Sequence, residues 1–187
     1  MTAFALLTAG TVVSVLATPG LWVLGATAPR WARPLVATLL TLLLVAAVVV
    51  TLVDGPATGT LGDVRALPAL VLAAVGGLVV APAVLELLGS PPPESPPTTE
   101  VLRGGTWIGV LERLAVFGSV AARWPEGIAV VVAVKGLGRY PELRGDPARG
   151  RRAGALTAET FIIGTMVSLV WCAACAYVGL GPLRLTA

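Results

Sequence analysis

"TWIGVLERLAVFGSV", residues 106–120, is apolar on both sides of an adjacent acid and base, Glu112 and Arg113. As a soluble helix it has no polar face for water. As a membrane helix it carries two charges that cost about 3 kcal/mol each near the bilayer centre unless they are paired or hydrated. A membrane reading therefore demands further apolar helices and countercharges on them, and the rest of the chain supplies both.

Of 187 residues, 56% are hydrophobic and 12% charged, where a soluble domain carries about 25% charged residues; the mean hydropathy is +0.90. These values point to an integral membrane protein in contact with the lipid bilayer. No His is present, which excludes His-based catalysis and His-containing metal sites. The net charge of +3 comes from arginines spread through loops between apolar runs. With no basic face to track phosphates, no nucleic acid partner is expected.

Spanning a bilayer takes about 20 mostly apolar residues, and working outward from Glu112 six runs meet or approach that length. The first covers about Ala3–Gly25 with a kink expected at Pro19-Gly20; the second, about Leu35–Val53, is the cleanest; the third, about Ala66–Leu88, contains Pro68, Gly76-Gly77 read as a flexible pair, and Pro82. The fourth is the opening stretch, about Gly104–Ala122, followed by a tight turn at "RWPEG", 123–127. The fifth, "IAVVVAVKGLGRY", is short and carries Lys135, so it spans a thinned region or is a partial helix. The sixth covers about Leu156–Leu180. The expected fold class is all-α, an integral membrane bundle of about six helices in two groups of three.

"SPPPESPPTTE", 90–100, divides the two groups, because serial prolines favour an extended, water-exposed conformation and cannot continue a helix. The expected organisation is a three-helix region over 1–89, a Pro-rich cytoplasmic linker over 90–103 and a second three-helix region over 104–187. The first run resembles a secretory signal in its apolarity. No Lys or Arg precedes Arg30, however, and the run is longer than a signal core, so a retained helix is expected. Nothing repeats between the halves, which gives no support to an inverted-repeat transporter.

Basic loops remain cytoplasmic. Arg30, Arg33, Arg103, Arg139, Arg144, Arg149, Arg151 and Arg152 fall on one side and Arg65, Arg123 and Arg184 on the other. Eight against three places both termini outside and the linker and Arg-rich loop inside a cytoplasmic (inner) membrane, multi-pass. Arg144, Arg149, Arg151 and Arg152 also suit anionic lipid headgroups, although their role in setting topology suffices to explain them.

At about 1.5 Å per residue, Glu112 lies roughly 13 Å and Lys135 roughly 8 Å from the cytoplasmic ends of their helices, with Glu159 about one turn inside the sixth. Glu112 and Glu159 balance Arg113 and Lys135. Neighbours on a helix diverge by about 100°, so Glu112 and Arg113 cannot serve one partner. Glu112 is expected to pair with Lys135, and Arg113 to reach Glu159 or a carbonyl at the neighbouring interface. Gly105, Gly109 and Ser119 share the Glu112 face, and Gly164, Ser168 and Cys172, with Thr165 beside them, form a small-residue stripe on the sixth helix. The two stripes are expected to meet.

Three blocks, "GTWIGVLERLAVFG", "AVKGLGRYPELR" and "AETFIIGTMVSLV", resemble in order and spacing the C-terminal region of an uncharacterised family of bacterial multi-pass membrane proteins. The family signature reads I-G-x-L-E-R, A-K-S-x-x-R-F-x-E and A-E-Y-x-x-I-G-T-x-x-S. The resemblance covers roughly residues 104–175 and places Ile108, Gly109, Glu112, Arg113, Lys135, Arg139, Glu142, Glu159, Ile163, Gly164, Thr165 and Ser168 on signature positions. This chain departs from it at Gly136, where the family has Ser, and at Tyr140, where it has Phe. The polar N-terminal domain of longer members, with its His and Asp residues, has no counterpart in the first half, so no activity of that domain carries over.

The candidate polar cluster is Glu112, Arg113, Lys135, Arg139 and Glu159. Two roles suit it: an ion-pair network that fixes helix register and assembly with a second copy or a membrane protein partner, or a proton or ion relay. Cys172 and Cys175 share a helix face; a redox pair lacks electron partners, two thiols alone make no metal site, and packing is the expected role. Thr8, Thr11, Ser14 and Thr18 are read as bonding within their own helix, with a wet path as the alternative. Serine hydrolase, kinase and P-loop patterns are absent and no cofactor or metal is expected. A non-enzymatic membrane component is the preferred reading, a small transporter or ion-conducting unit using Glu112 and Lys135 the second, and an enzyme acting on lipid the third.

Overall fold

The computed structural model describes residues 32–54, 60–89, 101–138 and 150–181, all of them in helices or the short turns beside them. Helix α1 is Ala32–Asp54, α2 is Thr60–Val71, a π-helical segment π1 is Leu72–Gly76, α3 is Gly77–Leu87, α4 is Val101–Ala121, α5 is Glu126–Gly138 and α6 is Gly150–Leu180. Segments α2, π1 and α3 follow one another without a break and correspond to the third expected helix. The first expected helix, with Thr8, Thr11, Ser14 and Thr18, lies outside the described residues, as does linker 90–100.

Helix α1 buries Ala37, Leu40, Leu44, Ala47 and Thr51, an alternating three- and four-residue spacing that lays one seam against the bundle. Its opposite face is also apolar: Leu35, Leu39, Leu42, Val45, Val49 and Leu52 are all exposed. Exposed residues as greasy as the buried ones are what lipid, and not water, stabilises. The hydroxyls of Thr38, Thr41 and Thr51 donate to the carbonyls four residues earlier, at 2.7, 2.8 and 2.8 Å, so none presents an unmet donor.

Among the described residues, three segments are long and apolar enough to cross a bilayer: Pro34–Val53, Arg65–Leu87 and Ala158–Leu180. The other two expected spans fall short for different reasons. Helix α4 has 21 residues but holds Arg103, Glu112 and Arg113, whereas α5 has only 13 residues, a rise of about 20 Å. Two boundaries also move: α4 begins at Val101, taking Arg103 out of the expected linker, and α6 begins at Gly150, taking Arg151 and Arg152 out of the expected loop.

Among the described residues the two halves share one core. Residues of α1, α2, π1, α3, α4 and α6 contribute to one buried cluster, in which Leu44, Leu72, Val80, Val116, Phe117, Trp171 and Cys175 belong together. Segments α2 and α3 lie along α6, and π1 also touches α4, so the first half is threaded between two helices of the second. Helix α5 packs along α4.

The turn between α4 and α5 closes as a Schellman motif. Trp124 N–H donates to the Ser119 carbonyl at 2.9 Å and Arg123 N–H to that of Val120 at 3.1 Å, with Arg123 in the left-handed region at φ 57°. This turn folds α5 back along α4 and brings Lys135 to the level of Glu112.

Candidate functional site

Arg113 occupies the inner seam of α4, in register with Val116, Phe117 and Val120, and its side chain is 5% exposed. Nε donates to the Ala74 carbonyl at 3.0 Å, and Nη1 to Ser168 Oγ at 3.2 Å. One side chain of α4 is thereby tied to π1 and to α6. Beside it Trp171 Nε1 of α6 donates to the Leu72 carbonyl at 3.1 Å, and the Cys172 thiol donates to the Arg113 carbonyl at 3.3 Å.

Both acceptor carbonyls belong to π1. A π turn widens the helix and disturbs the α ladder, which opens carbonyls to outside donors. Gly76 and Gly77 bring no side chain to resist the widening. The same two glycines make the notch into which the donors fit: a Cβ on Gly76 would stand 2.6 Å from Trp171 Cζ2, and one on Gly77 would stand 2.7 Å from Arg113 Cδ. The pair read as flexible in the sequence is a close-packed seat.

Glu112, one residue away, turns toward α5, where its Oε2 forms an ion pair with Lys135 Nζ. This pair is partly exposed, 16% for the Glu112 side chain and 23% for Lys135. Lys135 Nζ also lies 5.8 Å from the centroid of the Phe161 ring, so the ammonium is held between α4 and α6.

The remaining expected members of the cluster are distributed otherwise. Glu159 is exposed, and among the described residues no ion pair joins it to Arg113; the buried guanidinium takes a carbonyl and a hydroxyl instead. Arg139, Glu142, Arg144 and Arg149 lie outside the described residues, and Arg151 and Arg152 stand in the first turn of α6.

Nor do the glycine stripes meet as expected. Gly105 is exposed with no neighbour within 4 Å of a Cβ placed there; Gly109 borders the Arg113 guanidinium, with Nη1 at 3.5 Å from such a Cβ; and Gly164 faces Leu85 of α3. Ser119 Oγ donates to the Ala115 carbonyl at 2.8 Å. Helices α4 and α6 come together at Arg113, Ser168 and Cys172. Cys172 and Cys175 are both free and fully buried, an environment for packing and not for redox exchange.

Sequence reading did not identify Ala74, Leu72 and Trp171 as contributors to this centre. The signal for the first two was the Gly-Gly pair between two prolines, which marks a disturbed helix without naming the side chains that use it. For Trp171 the sequence holds no such signal.

A small cavity lies between α4, α5 and α6, with Glu112, Arg113, Lys135, Thr165, Ser168 and Cys172 among its lining residues. It has room for about one water molecule. Two buried polar atoms of its lining residues, Arg113 Nη2 and Thr165 Oγ1, have no hydrogen-bond partner among the described residues.

No family model, curated protein or solved structure matches this chain.

Proposed function

We propose that this protein is a non-enzymatic, multi-pass component of a bacterial cytoplasmic membrane, related to the family its second half resembles, with about six helices and both termini outside. Its intramembrane charges serve as an assembly core that sets helix register within the chain and, through the partly exposed Glu112–Lys135 wall, its association with a second copy or a membrane partner. One observation carries the reading: a nearly fully buried arginine of α4 hydrogen-bonds to two other segments at once. Buried polar groups of this kind contribute specificity of packing more than net stability. The Arg-rich segment, Arg144 and Arg149 with Arg151 and Arg152 in the first turn of α6, is assigned to the cytoplasmic side, where anionic headgroups suit it.

Blue native electrophoresis and light scattering of Glu112→Gln in detergent test the assembly role. A changed oligomer size or a loss of abundance is expected. Intact assembly combined with lost proton or solute flux in proteoliposomes would transfer the role to the second reading, a small transporter or ion-conducting unit using Glu112 and Lys135. That reading draws its support from the ion pair's position on the wall of the cavity. For topology, an impermeant maleimide is expected to label Glu126→Cys from outside and to miss Ser95→Cys. The native Cys172 and Cys175 add little background because both are buried.

A further inference from the structure

We infer that the cavity between α4, α5 and α6 is a hydration site, holding one water that accepts a hydrogen bond from Arg113 Nη2 and exchanges one with Thr165 Oγ1. The inference rests on the cavity and its walls and is independent of the assembly role.

Arg113 and Thr165 are 5% and 7% exposed, and an unsatisfied donor or hydroxyl at such depth is costly unless something within reach completes it. Neither group has a protein partner for the atom in question among the described residues, and both atoms belong to residues lining the same cavity. The space admits about one water, and a water is retained in a protein interior where two to four polar partners surround it. Arg113, Thr165, Ser168 and Glu112 provide that number here.

The charges on the wall select the occupant. Glu112 and Lys135 offset one another, so the wall carries the net positive charge of Arg113 and opposes a cation, and a space of about one water is too small for a halide or larger anion. A small neutral molecule that both donates and accepts satisfies the guanidinium, the hydroxyl and the carboxylate together. The Glu112–Lys135 pair is a partly exposed portion of the wall, whereas Arg113, Thr165 and Ser168 are buried. The water thus links the ion pair near the surface with the Arg113 clamp in the core, and polar groups from α4, α5, α6 and π1 form one hydrogen-bonded network.

The test uses the full chain in lipid bilayers. Water-edited solid-state NMR should show polarisation transfer from water to the Thr165 side chain at mixing times as short as those for exposed residues such as Glu126. Thr165→Val removes the hydroxyl at nearly constant volume, and the signs are opposite in the two cases. In a hydrated site the substitution deprives the water of a partner and the melting temperature falls, on the order of 3 °C for a chain of this size. In a dry site it removes an unsatisfied hydroxyl, and the melting temperature holds or rises. Thr165→Ser should keep the transfer signal. Absence of transfer in the wild type, an unchanged or raised melting temperature for Thr165→Val, or anomalous density for bromide between Arg113 and Thr165 in crystals soaked with that ion would each overturn the inference.

Discussion

Glu112 and Arg113 are neighbours in sequence and opposites in environment. Glu112 lies on the flank of α4 toward the short helix α5, meets a full countercharge on Lys135 and remains partly exposed. Arg113 lies in the core seam, meets only neutral acceptors and is buried. A rotation of about 100° along one helix separates them. A flexible lysine on a short, peripheral helix can follow a displaced carboxylate, whereas Arg113 is enclosed by π1 and α6 and has nowhere to go. The ion pair is therefore the tolerant member of the site and the clamp the intolerant one, even though the clamp lacks an opposite charge.

The contrast sets an order of effects. Arg113→Leu is expected to be the most damaging change, at about 3 kcal/mol, because it strips donors from Ala74 and Ser168 and puts a differently shaped side chain into a close-fitting seat; thermal unfolding in detergent and yield of monodisperse protein measure it. A loss smaller than that of Glu112→Gln would reverse the ranking. Gly77→Ala leaves every hydrogen-bonding group in place and fills only the notch under Arg113, so about 2 kcal/mol of overpacking cost is expected, read from the same melting curves. If Gly77→Ala melts like the wild type, the seat is looser than described.

The ion pair is tested by exchange. Glu112→Lys and Lys135→Glu alone should each lower stability by about 1 kcal/mol through like-charge repulsion, and the double exchange should recover at least half of the combined loss. A double variant as unstable as the sum of the two singles would show that the partners do not act on one another. Trp171→Phe is expected to cost about 1 kcal/mol, comparable with either charge exchange, because the bond from Nε1 to the Leu72 carbonyl is lost while an aromatic ring still packs in the core. A larger loss would make Trp171 an equal partner of Arg113 in holding π1.

Legibility differed between elements for physical reasons. The cores of α1, of the continuous α2–π1–α3 and of α6 were readable as long apolar runs, while α2 and α6 start about six residues earlier than expected because caps fall in polar stretches that tolerate several boundaries. The approach of Glu112 to Lys135 followed from charge balance and helix rise. The inner faces did not follow: in a helix that is apolar all round, periodicity carries no signal, because the side facing lipid is as greasy as the side facing protein. Gly105 thus read like a packing position although it is exposed, and Glu159 read like a partner for Arg113 although it too lies at the surface.

What this sequence determined by itself is the solvent it requires and the cost it must meet. Long apolar runs need lipid, and charges placed within them need partners, whatever the arrangement of the helices. Only the tertiary structure decided which partners these are. A guanidinium can be satisfied by carboxylate, carbonyl, hydroxyl or water at similar distances, and the choice among them depends on which backbone comes close enough. Here that backbone is π1, brought between α4 and α6 because two adjacent glycines leave room for Arg113 and Trp171 to reach its carbonyls.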